Sequence, residues 1–143
     1  MGSSSWSYSV PYQGDVNAAL QRLRQEVFEC GEYYRESPGD GLNRARPTGP
    51  DTLVDAQPHS GTHSVIDMVN GVSAEPAFAT VSPLAPDNLA YTFGTETPTA
   101  GQVETELLIG DLRHERDRWV GTYIVSYHDG RPDRIHFFGS SGD

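Results

Sequence analysis

The stretch from Arg118 to Phe138 limits the folds open to this chain more than any other. Residues 119–127 are dominated by β-branched and aromatic side chains, and Ile135, Phe137 and Phe138 continue that character after a break. The break holds Asp129, Gly130 and Pro132, so the pattern predicts a β-hairpin. Alternation places Trp119, Tyr123, Val125 and Tyr127 on one face of the first strand. Val120, Thr122, Ile124 and Ser126 fall on the other. Both faces are largely apolar. The strand is therefore expected inside a sheet, covered on one side by helices.

The elements before the hairpin follow from local patterning. Met1 to Ser5 is serine-rich and is expected to be disordered. Trp6, Tyr8, Val10 and Tyr12 alternate with small residues, which predicts a half-buried strand ending at Pro11. Val16, Leu20, Leu23 and Val27 recur at helical spacing, predicting a helix over about residues 15–34. Residues 35–62 are rich in proline and glycine and are expected to form a long loop, a lid or a disordered segment, with one short helical turn near 51–56. Strands are predicted over 62–72 and 77–84. Pro86 and Gly94 bracket a short helix. Thr99 and Gln102 form a capping-box signature ahead of a better one. Residues 139–143 read as a turn or a frayed tail.

The resulting order is strand, helix, loop, strand, strand, helix, strand, strand. It predicts a single α+β domain over 1–143, with an antiparallel sheet of about five strands and two main helices on one face. The closest pattern is ferredoxin-like, βαββαβ with an extra C-terminal strand.

Charge and residue inventory exclude several functions. The formal net charge is −10, and all ten basic residues are arginine. No Schiff base, phosphate-loop lysine or lysine general base is available. A phosphate backbone is repelled by this field, so no nucleic-acid partner is expected. The single cysteine, Cys30, forms no internal disulfide and makes a zinc-finger site impossible. No segment reaches the length and apolarity of a membrane helix. Residues 1–8 lack the basic start of a signal peptide, so the expected location is cytoplasmic.

No complete catalytic or cofactor motif is present, and no cofactor or metal is expected. His114-Glu115 opens like a zincin motif, but Arg118 stands where the second histidine belongs. His59 and His63 are four apart, with Gly61 between them breaking a helix. His128 adjoins the hairpin turn, while His136 alternates with apolar residues in the last strand. His63 and Asp67 would share a face if their segment were a strand.

Two functions from different classes follow. The first is a small acidic binding or accessory protein, of inhibitor or immunity type, that meets a basic partner. The second is a cofactor-independent enzyme for a small organic substrate, with His63, Asp67, Tyr123 and His136 as the acid–base set and residues 35–62 as lid. A homodimer through an uncovered aromatic sheet face is a further expectation.

Overall fold

A computed structural model describes residues 4–36, 47–110, 112 and 116–142. Strand β1 spans Ser4–Pro11, and helix α1 follows at Val16–Cys30. Asp15 caps α1 by accepting from the Ala18 amide at 3.0 Å, and Gly31 ends it in the left-handed region. A short helix, α2, occupies Pro50–Ala56, and a 3-10 turn lies at Val65–Asp67. Strand β2 is Thr80–Pro83, and α3 is Pro86–Phe93, stopped by left-handed Gly94. Helix α4, Ala100–Ile109, begins with the anticipated capping box. There the Gln102 amide donates to Thr99 Oγ1 and the Thr99 amide to Gln102 Oε1. Strands β3, Val120–His128, and β4, Arg131–Ser141, complete the chain. Their turn is the predicted one: Asp129 and Gly130 sit at φ 50° and 75°. Two successive left-handed residues match the right-handed twist of a hairpin.

The sheet has four strands in the order β1-β4-β3-β2. β4 pairs antiparallel with both β1 and β3, whereas β2 runs parallel to β3. This corrects the five-stranded ferredoxin-like expectation within an α+β fold that stands. The parallel pair requires a long crossover, and α3 with α4 provides it.

The helices also lie on both sides of the sheet. On one face Leu20 and Leu23 of α1, Leu53 of α2, and Val65, Ile66 and Met68 pack with Trp6, Ile135 and Phe137. On the other, Val103 and Leu107 of α4 pack with Leu84, Ile124 and Phe138. The reason was visible in β3: two apolar faces need two covers. Trp6 and Phe137 are consequently core, so the aromatic face is not an open platform.

Three local expectations also change. The segment 62–72 turns rather than extending. Gly61 and His63 adopt left-handed φ, and Ser64 caps the 3-10 turn by accepting from the Ile66 amide. Its one strand-like contact is a bridge from Val72 to Val81. Ser4 and Ser5 belong to β1 and are not disordered. Residues 139–141 continue β4 and are buried, paired to β1 from Ser4 to Trp6. Of the Pro/Gly-rich segment, α2 supplies the anticipated short helix, and 37–46 lie outside the described residues.

Candidate functional sites

The turn that carries His63 and Asp67 is anchored to the end of β4. Asp67 is 0% exposed. Its Oδ1 accepts from the Thr62 amide at 2.7 Å, and its Oδ2 accepts from Ser141 Oγ at 2.5 Å. Ser141 Oγ in turn accepts from Trp6 Nε1 at 3.0 Å. Burial pushes the Asp67 carboxyl above its ordinary range; the hydrogen bonds from Ser141 and Thr62 oppose this without cancelling it. The neighbours fit closely. Gly61 has no Cβ where one would press on the Trp119 indole at 2.8 Å, and a Cβ on Gly142 would overlap the His63 ring. His63 itself stacks on Tyr34, with centroids 4.6 Å apart. Such a carboxyl clasps a turn to a strand end.

Tyr123 lies elsewhere. It faces the α1 side of β3, tilted against Phe137, and lines a groove of about 750 Å³ at the β3 edge beyond the end of β2. Leu84 and Leu89 form apolar walls there, with Glu75, Glu96 and Arg116 at the polar margin. Arg116 donates to the Ser82, Pro83 and Gly121 carbonyls, so it ties β2 to β3. Burial raises the Tyr123 phenol pKa, and Tyr12 adds to the rise, which keeps the hydroxyl protonated at neutral pH.

His136 faces the opposite way, toward α4, and is 1% exposed. Its Nε2 lies 2.9 Å from Ser126 Oγ. The Ser126 hydroxyl also lies 3.5 Å from the Arg134 carbonyl. Burial, the largest influence, lowers the His136 pKa; Arg134 adds to this, while Glu104 and Asp133 pull the other way. The imidazole is neutral at pH 7.

The structure therefore brings His63 and Asp67 onto one turn and leaves the other two apart. His136 and Ser141 are five residues apart on β4, about 16 Å at strand rise, and their side chains point to opposite faces. Ser126, Ser141 and the Trp6 indole N–H were not singled out by the sequence. Ser141 sits in a Gly-Ser-Ser-Gly run that reads as a tail, and only pairing with β1 buries it. Among the described residues, no group of three or more His, Cys, Asp or Glu side chains is placed to hold a metal ion. No helix among them is long and apolar enough to cross a membrane.

Comparison with protein-family models, curated proteins and solved structures finds no match. Any functional reading rests on the chain's own chemistry.

Proposed function

We propose that this chain is a small acidic binding protein that docks a basic partner through the carboxylates at the C-terminal end of α1. The observation that carries this is a run of exposed carboxylates at the negative end of a helix. Glu26 and Glu29 are exposed in the later turns of α1, Glu32 follows directly, and the last turn holds no basic residue. The helix dipole is negative at that end, so acidic residues there cost rather than gain stability. Several arginines are engaged elsewhere: Arg22, one turn before Glu26, donates to Gln13 at 2.7 Å. Arg24 is buried, bonded to the Ile66 carbonyl and paired with Asp51. Arg116 holds backbone carbonyls, and Arg134 holds Ser9. Arg24 pairs with Asp51 at 2.8 Å, and His128 Nε2 lies 3.4 Å from Asp129 Oδ2. A basic partner supplies countercharge to the α1 carboxylates.

Titration calorimetry with a hexa-arginine peptide tests this. Binding is expected to weaken steeply as salt rises toward about 0.15 M. The combined variant Glu26→Gln, Glu29→Gln, Glu32→Gln should weaken it about tenfold, equivalent to about 1.4 kcal/mol. A control variant with Glu75→Gln, Asp87→Gln and Glu96→Gln has the same net charge and should bind nearly as the parent does. Equal losses in the two variants would mean diffuse attraction and no α1 site.

A further inference from the structure

Strand β1 is an edge of the sheet, and its eight residues pair with β4 on one side only. The direction of its backbone groups follows from the pairs beyond it. The Leu84 amide donates to the Tyr123 carbonyl at 3.1 Å, so Tyr123 faces β2 and its neighbours Thr122 and Ile124 face β4. Their partners Phe138 and His136 face back toward β3. The intervening residues of β4, Gly139, Phe137 and Ile135, therefore face β1, where they meet Trp6, Tyr8 and Val10. The peptide groups of Ser5, Ser7 and Ser9 consequently point away from the sheet. Of these, the Ser9 carbonyl accepts from Arg134 Nη2 at 3.1 Å. The three amides and the Ser5 and Ser7 carbonyls meet no partner among the described residues.

Sheet edges are ordinarily guarded by charged side chains, bulges, prolines or a covering segment. β1 has Pro11 at its end and the Arg134 guanidinium at Ser9, and its pairing with β4 runs without a bulge. Around Ser7 it is unguarded. The whole strand reads Ser-Ser-Trp-Ser-Tyr-Ser-Val-Pro, with no charged side chain in a protein of net charge −10. On the α4 side, Ser7 and Ser9 border a shallow recess of about 290 Å³ over His136, and their small side chains leave the approach open. On the α1 side, Trp6 is buried and Tyr8 half-buried, with ring centroids 6.0 Å apart.

We propose that two copies of this chain pair through their β1 edges, antiparallel about a two-fold axis at Ser7, so that their sheets become continuous. With Ser7 opposite its own counterpart, Ser5 falls opposite Ser9, and all three outward residues form hydrogen-bonded pairs. The Ser9 carbonyl holds Arg134 with one lone pair and has a second for the facing Ser5 amide. Trp6 falls opposite Tyr8 of the second copy, which gives the half-buried phenol ring an aromatic cross-strand neighbour. An axis moved to Ser9 would set Pro11, which has no N–H, opposite Ser7. A second copy fits because one strand supplies both sides of the pairing: serine meets serine, tryptophan meets tyrosine, and no charge is buried. The contact is narrow, so the dimer is weak and concentration-dependent. Two acidic chains repel at a distance while the joined edges are uncharged. Added salt therefore strengthens this pairing, the reverse of its effect on a basic partner at α1.

Sedimentation velocity of the full chain between about 10 µM and about 1 mM tests this, the range in which a weak dimer forms. A dimer fraction that rises with concentration and with salt is expected. Ser7→Glu sets two carboxylates side by side at the two-fold axis and should weaken the dimer about tenfold. Asn88→Glu adds the same charge at an exposed position of α3 and should leave it unchanged. Amide exchange followed by NMR locates the contact, since the Ser7 and Ser9 amides should exchange more slowly as the dimer forms. The pairing is refuted if the chain stays monomeric throughout, if Ser7→Glu dimerises as tightly as the parent, or if a dimer forms without protecting the Ser7 amide.

Discussion

Asp67 is the residue whose burial has the clearest consequence. Its pKa is raised in the folded state, so the interior favours the acid form. A carboxyl with a raised folded pKa contributes stability that is fully present below its unfolded pKa. That contribution is lost as pH rises through the folded value. Asp67→Asn keeps an acceptor for the Thr62 amide and removes the titration. Urea unfolding across the acidic to neutral range should show the parent losing stability relative to Asp67→Asn as pH increases. A difference that stays constant with pH would show that Asp67 is not the titrating group. Ser141→Ala removes the donor to Asp67 Oδ2 and the acceptor for Trp6, and should cost about 1–3 kcal/mol.

At the scale of elements, backbone conformation decides the effect of a substitution even where space does not. A methyl group would meet nothing within 4 Å at Gly130, and at Gly101 the nearest atom is Thr99 Oγ1 at 4.0 Å. Yet Gly130 holds the β3–β4 turn at φ 75°, while Gly101 lies in the first turn of α4. Gly130→Ala should therefore destabilise by about 1 kcal/mol, and Gly101→Ala should stabilise by roughly half to one. Thermal unfolding of the two variants reads both signs, and matching signs would refute the assignment of the turn. Both elements were legible in the sequence because their signals are local. The Asp-Gly dipeptide sets the turn, and the Thr99–Gln102 box sets the helix start. The segment 62–72 was not legible as a turn. Its Val and Ile content imitates a strand, but Ser64 and Asp67 hydrogen-bond nearby backbone amides and stop it from extending.

The whole molecule joins two apolar clusters through one sheet. Leu20 is buried on the α1 side and Leu107 on the α4 side, and Ile135 and Phe138 of β4 serve opposite clusters. Because β4 is shared, neither layer has a sheet of its own to fold on. Leu20→Ala and Leu107→Ala should each cost about 2–5 kcal/mol. In both variants, tryptophan fluorescence, which reads Trp6 and Trp119 together, and far-UV circular dichroism should lose signal at the same urea concentration. Separated transitions in Leu107→Ala would show that the α4 layer unfolds as a unit of its own.

The sequence by itself determined what depends on neighbours in the chain: the β3–β4 turn, the N-terminal capping box of α4, the limits of α3, the two-faced apolarity of β3, and the charge of −10. It also marked His136 as an alternating strand histidine. Tertiary structure decided the strand order, the parallel β2–β3 pairing and the side each helix covers. Strand pairing joins residues more than a hundred positions apart, such as Trp6 and Gly139, and local propensity carries no record of such partners. The same long-range register separates His136 from Asp67. It places one over a recess beneath α4 and seals the other behind Ser141, because successive β4 side chains emerge on opposite faces of a sheet that has a core on each.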